Sequence, residues 1–253
     1  MTSGLDGRVI LVTGACGDLG QAITGGLRRA GATVVASDLL PPEAARQALG
    51  ADPGPYIPCD VRQRAQVEAM VARILTDHGR VDGLVAAAGI VRWAEALEVS
   101  SEVWDQVLGV NLTGTFITAQ VVAEAMRQRR SPGSMVFIGS WIGESPARRL
   151  LPYCVSKAGV DMVARCLALE LAPLGIRVNV VAPGVIDAGV SGRIFAEAPE
   201  RRAALERVVP LGQLGSAQQV AECVTFLLSG AAGYVTGANL VVDGGIRLAH
   251  DGG

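Results

Sequence analysis

The chain has 253 residues, half of them hydrophobic and few aromatic, with a formal net charge of −2. That length suits one large domain burying about 70 to 75% of its unfolded surface, with a core built from Ala, Val, Leu and Ile. The near-neutral charge excludes a general attraction for nucleic acid or anionic lipid. Five cysteines without C-x-x-C spacing exclude a disulfide framework and a zinc site, and are expected to be free thiols.

In chain order, Met1 to Gly7 carries neither a basic segment nor an apolar run and does not read as a signal or transit peptide. Arg8 to Thr13 is an unalternated apolar run, expected of a strand covered on both faces. Gly14, Gly17 and Gly20 follow, and then a helical segment from Gln21. A glycine-rich turn between strand and helix lets backbone N–H groups approach a pyrophosphate, which the positive helix N-terminus also favours. Ala32 to Asp38 is a second strand ending in a carboxylate. In a dinucleotide fold that position faces the adenosine ribose, where an anion accepts from both hydroxyls and repels a 2′-phosphate. With no Arg or Lys from Gly14 to Leu27, nor at Leu39 or Leu40, Asp38 argues for NAD over NADP. The other reading of Asp38 is a cap for the following helix.

Tyr56 to Val61 ends a third strand, and Gln63 to Asp77 reads as a helix with His78 at its end. Gly83 to Gly89 is a fourth strand and turn. Ser100 to Gln128 reads as a long helix with Asn111, a mediocre helix former, inside it. Ile176 to Gly184 is a sixth strand and turn. Asp187 to Leu214, broken by glycines and prolines, reads as a substrate-covering flap. Ser216 begins a helix, and Asn239 to Gly245 is a last strand and turn. The charge-free stretch from Cys223 to Val242 is broken by Gly230, Gly233 and Gly237, a poor membrane span. His250 lies in a polar tail. Neither histidine suits a Ser-His-Asp triad or a metal site, so no metal is expected and acid/base chemistry must use another residue.

Ser140 to Lys157 supplies one. With Pro152 in the first turn of a helix, Tyr153 and Lys157 are four apart and share a face. A phenol has a pKa of about 10 and needs a nearby positive charge to take a proton near neutral pH. Lys157 can provide that charge, and Ser140, ending the strand-like run from Met135, can bring a hydroxyl to the same substrate oxygen. A plain helix face with a snorkelling lysine is the alternative.

Ser140, Tyr153 and Lys157, with Thr13 to Gly20 and Asn111, resemble the short-chain dehydrogenase/reductase family in its short single-domain form, over Gly7 to Gly245. The glycine turn is read as that family's G-x-x-x-G-x-G. The resemblance implies a single α/β domain over residues 1–253, a doubly wound Rossmann fold with seven parallel strands, and a flap at about 187–214. It implies catalytic roles for Asn111, Ser140, Tyr153 and Lys157, the Asn111 carbonyl holding a water that links the lysine to solvent. It implies dinucleotide contacts at Gly14, Gly17, Asp18, Leu19, Gly20, Asp38, Asp60 and Val61 (beside the adenine), Ala88, Gly89, Tyr153 and Lys157. Pro183, Gly184 and the Ile186 backbone would lie at the nicotinamide. The chain departs from the family at Ala86 and Ala87, where an asparagine pair usually ties neighbouring strands. It departs again at Ala188, where a threonine usually bonds the carboxamide and for which Ser191 is a substitute.

The expected activity is NAD(H)-dependent interconversion of a secondary alcohol (sugar, polyol or cyclic alcohol) and its ketone, in a soluble cytoplasmic homotetramer whose partner is a small-molecule substrate. Trp93, Trp141, Ile142, Leu150, Val185, Val190 and Phe195 are candidates for the pocket wall, and Arg92, Glu144, Arg148 and Arg149 for its rim. The rivals are a 3-oxoacyl-carrier-protein reductase, which normally uses NADPH, an NAD-sensing regulator without turnover, and a sugar-nucleotide epimerase, which needs a larger substrate domain.

Overall fold

The computed structural model describes residues 4–50, 53–189, 192 and 199–250. Strands and helices alternate: β1 (Val9–Thr13), α1 (Asp18–Arg29), β2 (Thr33–Asp38), α2 (Pro42–Leu49), β3 (Tyr56–Pro58), α3 (Arg64–His78), β4 (Gly83–Ala86), α4 (Ser101–Leu108), α5 (Gly114–Gln128), β5 (Gly133–Ile138), α6 (Leu151–Leu171), β6 (Ile176–Pro183), α7 (Pro199–Val208), α8 (Ala217–Leu228), β7 (Asn239–Val242) and α9 (Ile246–His250). The seven strands form one parallel sheet in the order β3-β2-β1-β4-β5-β6-β7. This is the doubly wound arrangement expected from the sequence. The strand order reverses between β1 and β4, and ligands of such sheets sit at the carboxyl ends beside that point.

The unalternated apolar runs are explained by two cores, one on each face. Val9 and Leu11 of β1 point into a cluster with Val67, Met70 and Ile74 of α3 and Val122 and Met126 of α5. Ile10 and Val12 point the other way, against Ile23 and Leu27 of α1 and Val220, Val224 and Leu227 of α8. Successive strand residues face opposite sides, so a strand covered twice must be apolar throughout. Cys16, Cys59, Cys154, Cys166 and Cys223 are free thiols.

The long helix expected from Ser100 to Gln128 is interrupted at Asn111. Gly109–Thr113 forms a π-helical turn between α4 and α5, the kind of local widening that frequently marks functional sites. By length and composition Ser101–Gln128 would pass for a membrane span, but half of its most apolar window is buried inside the protein. His250 closes α9.

Candidate active site

Extended backbone at Ser140 follows β5, and a short 3-10 turn, Trp141–Gly143, leads the chain back toward α6. Pro152 lies in the first turn of α6, where a missing N–H costs little. One turn separates Tyr153 from Lys157, and the two side chains meet: Lys157 Nζ lies 5.4 Å from the centroid of the Tyr153 ring. The Ser140 side chain lies beside the Tyr153 hydroxyl and pulls its pKa downward. Three residues named from sequence spacing are therefore brought together at the carboxyl end of β5.

Their electrostatics differ from the expectation. Burial raises the Tyr153 phenol to about 12, against the opposing pull of Ser140. Burial also lowers the Lys157 ammonium to about 8. Lys157 is 6% exposed and donates from Nζ to the Ile138 carbonyl at 2.8 Å. The proximity expected of the lysine is present. The acidified phenol is not, because withdrawal from water disfavours both charged forms together.

Asn111 is fully buried. Its Nδ2 donates to the Ile90 carbonyl at 3.0 Å and to Ser156 Oγ at 3.0 Å, while Oδ1 accepts from Ile90 N at 2.8 Å. Ser156 Oγ in turn donates to the Tyr153 carbonyl at 2.7 Å. The amide thus ties the loop after β4 to the first turn of α6. The Asn111 carbonyl accepts from Thr115 Oγ1 at 2.7 Å. Ser156, next to Lys157, was the residue the spacing argument passed over. At Ala86 and Ala87, where an asparagine pair is the family's habit, Ala87 N donates to the Thr13 carbonyl at 3.2 Å. A backbone link between β1 and β4 therefore survives without the side chains.

The glycine turn needs a correction. Gly14, Gly17 and Gly20 are spaced G-x-x-G-x-x-G, so Asp18 stands where G-x-x-x-G-x-G has its middle glycine. Gly14 (φ +67) lies against the backbone of Ala88, where a Cβ would come within 2.5 Å of N, and a Cβ on Gly20 would meet the Gly14 carbonyl oxygen at 2.1 Å. These two glycines permit backbone packing. Gly17 is the N-cap of α1, contributes no side-chain cap, and is open, a Cβ there meeting the Gly14 oxygen at 3.6 Å. The first N–H groups of a helix, here those of Asp18 and Leu19, have no carbonyl within it. The Asp18 carboxylate accepts from Gly189 N at 2.5 Å, joining α1 to the chain that follows β6.

At the end of β2, Asp38 caps no helix. Its Oδ2 accepts from Cys16 N at 3.0 Å and its Oδ1 from Leu39 N at 2.8 Å, leaving one lone pair on each oxygen for a diol. Asp60 is gripped by Arg62, whose Nε and NH2 donate at 2.6 to 3.1 Å, and those hydrogen bonds hold its carboxyl below the usual carboxylate range. Val61 is buried beneath Gly114, and Gly89 lies near both Asn111 Oδ1 (3.5 Å from a Cβ position) and Lys157 Nζ (3.7 Å). After Pro183, Gly184 N donates to the Val242 carbonyl at 2.9 Å. Ile186 bridges to Gly215 through the flanking groups Val185 O and Asp187 N, so its own N–H and C=O face the opposite side. An uncapped helix N-terminus beside open space, and a carboxylate with free lone pairs one strand away, fit a dinucleotide.

Of the wall candidates, Trp141, Ile142 and Leu150 are buried in one cluster with Cys154, Val209, Leu214 and Ile246, against which Tyr153 and Val185 pack. Trp93 is 53% exposed and stands outside it. Of the rim candidates, Arg92 donates to Gln106, Arg149 pairs with Glu95, and Glu144 is bound by Arg247 and Asn239. Val190, Ser191 and Phe195 lie outside the described residues. Among those described, no group of three or more His, Cys, Asp or Glu is placed to hold a metal ion.

The comparisons agree with this geometry. A family model described as enoyl-(acyl carrier protein) reductase matches residues 14–247. The chain is 37% identical to a D-threitol dehydrogenase of Mycolicibacterium smegmatis over 96% of this chain and 94% of that protein. It is 38% identical to a 3-oxoacyl-(acyl-carrier-protein) reductase of Thermotoga maritima over 96% of this chain and 99% of that protein. A solved structure of a candidate 2-deoxy-D-gluconate 3-dehydrogenase of Agrobacterium tumefaciens, with bound NADP, superposes with a TM-score of 0.87 at 35% identity, covering 98% of this chain and 99% of that one. With the doubly wound sheet and the Ser140, Tyr153 and Lys157 cluster already in place, these likenesses mean that the chain belongs to the short-chain dehydrogenase/reductase family of oxidoreductases.

Proposed function

We propose that this protein is an NAD(H)-dependent oxidoreductase that interconverts a secondary alcohol and its ketone, with Tyr153 as the proton-transferring group. The observation that carries the reading is the Tyr153 hydroxyl beside the Ser140 side chain with the Lys157 ammonium 5.4 Å from its ring centroid. A bound nicotinamide dinucleotide would supply or accept the hydride. In reduction Tyr153 Oη donates its proton to the carbonyl oxygen, and in oxidation it takes the alcohol proton. A phenol raised to about 12 holds its proton, so the state described here is the one poised for reduction. Ser140 Oγ orients the substrate oxygen, and Lys157, with one donor on Ile138, has others for the nicotinamide ribose. Asn111 fixes the start of α6 against the loop at Ile90, which sets the position of Tyr153.

Asp38 supports NAD over NADP: its carboxylate is held in place, and no Arg or Lys lies between Gly14 and Leu27 or at Leu39 or Leu40 to accept a 2′-phosphate. Gly14, Gly17, Asp18, Leu19 and Gly20 would border the pyrophosphate, Val61, Ala88 and Gly89 the adenosine side, and Pro183, Gly184 and Ile186 the carboxamide. The apolar cluster with Trp141 and Ile142 beside Tyr153 supports a compact or cyclic secondary alcohol, among them polyols and sugars, with residues 187–214 as the covering flap.

The likeness to carrier-protein reductases favours a second reading, a 3-oxoacyl reductase, which Asp38 opposes. Screening NAD+ reduction over sugars, polyols, steroids and cyclic alcohols, with a 3-oxoacyl thioester and NADPH in parallel, separates the two. Turnover of the thioester with NADPH alone would overturn the first reading, and no turnover of anything would favour a regulator. We further propose a cytoplasmic homotetramer, supported by free thiols and by the exposed apolar side chains Phe116 on α5 and Met162 and Leu169 on α6. Light scattering giving a monomer-sized particle would refute it.

A further inference from the structure

Three segments of the chain converge on one hydroxyl beside Asp38. Tyr56 opens β3, and its Oη lies 3.2 Å from the Asp38 carbonyl oxygen and 2.5 Å from that of Leu40. The same hydroxyl lies beside the side chain of Cys16, whose backbone N–H holds the Asp38 carboxylate. The turn at residues 38–40 has few other supports. The β2–β3 ladder ends with Asp38 opposite Pro58, and Pro58 has no N–H to extend it. Beyond it, among the described residues, the backbone link back to this turn is Cys59 N, which donates to the Asp38 carbonyl at 2.9 Å. Leu39 and Leu40 are 66% and 39% exposed, so apolar packing contributes little. The acceptors on this turn are drawn inward by polar groups, chiefly the phenol.

We propose that Tyr56 is a positioning residue for dinucleotide selectivity, clamping the turn after β2 so that the Asp38 carboxylate meets the adenosine ribose in a fixed orientation. This rests on the reading of Asp38 as the ribose acceptor. A carboxylate free to swing accepts less well from a 2′,3′-diol and repels a 2′-phosphate less sharply. Tyr56 therefore acts on affinity and preference and not on the proton transfer at Tyr153.

The test is fluorescence titration of NADH and NADPH binding to the parent, Tyr56→Phe, Asp38→Ala and the double variant, with thermal melting of each. Loss of the hydroxyl should weaken NADH binding about fivefold, the scale of one net hydrogen bond, and lower the ratio of NADH to NADPH affinity by a similar factor. In the Asp38→Ala background the same change should leave the ratio unmoved. Should Tyr56→Phe melt well below the parent, the titrations are compared at a temperature where both are folded. An unchanged ratio in Tyr56→Phe, with a collapsed one in Asp38→Ala, overturns the proposal and leaves Asp38 standing. An unchanged ratio in Asp38→Ala overturns the reading of Asp38 and the role of Tyr56 with it.

Discussion

Lys157 Nζ donates to the carbonyl of Ile138 at 2.8 Å, so the last residue of β5 anchors the ammonium that lies against the Tyr153 ring. This bond places a charge where water does not reach it, and burial lowers that charge's pKa to about 8 from its ordinary 10.5.

The shift has a sign that can be checked. Between pH 8 and 10.5 the unfolded lysine binds more protons than the folded one, so this group's contribution makes the fold more stable as pH rises through that window. Holding Lys157 charged at pH 7 costs about 3 kcal/mol on this scale. Lys157→Met removes that cost while leaving the Ile138 carbonyl unpaired, for a net gain of up to about 2 kcal/mol at pH 7. Urea denaturation should show the gain at pH 7 and its disappearance by pH 10.5, with turnover lost throughout. A variant less stable than its parent at pH 7 would contradict the buried-charge account.

Tyr153 is expected to ionise above the ordinary 10, toward about 12, in the protein without a dinucleotide. The tyrosinate absorbance of the parent minus that of Tyr153→Phe isolates this group, and its midpoint should fall above pH 10. A midpoint below 10 would mean that Lys157 outweighs burial. The same variant should fold, bind NADH and lose most turnover, and retained turnover would remove Tyr153 from the mechanism.

Asn111→Ala would leave the N–H and C=O of Ile90 without their partner in a part-buried loop, and Ser156 Oγ with its bond to the Tyr153 carbonyl alone. A loss of roughly 2–4 kcal/mol follows from leaving several such groups unpaired, lowering the melting temperature by roughly 10 °C for a domain of this size. Differential scanning calorimetry measures it, and a shift of only a degree or two would show that water replaces the amide.

Asp18 puts a negative charge at the helix end where the dinucleotide phosphates are proposed to sit. Asp18→Asn keeps an acceptor for Gly189 N but removes the charge, so NADH should bind several-fold more tightly by titration. Helix stability should fall by about 0.3–1 kcal/mol from the lost dipole interaction. Weaker binding in Asp18→Asn would place the carboxylate among the groups that hold the dinucleotide.

The alternation of strands and helices was legible in the chain because strands buried on both faces must be apolar throughout, as Val9 to Val12 are, and because helix and strand periods differ. The pairing of Tyr153 with Lys157 was legible because a spacing of four within one helix is a local geometric fact. Other features depend on residues far apart that meet only when the sheet closes. The Asn111 bond to Ser156 spans 45 positions and the Asp18 bond to Gly189 spans 171, and no local pattern announces either. The π turn at Gly109–Thr113 is rich in weak helix formers, Gly109, Val110, Asn111 and Thr113, but that composition marks a weak point in a helix without specifying the wider turn. The direction of the Tyr153 and Lys157 shifts was decided by the tertiary structure alone: sequence spacing sets which groups can meet, but how much water surrounds them depends on what packs over them from Ile138, Ser140 and the cluster around Trp141.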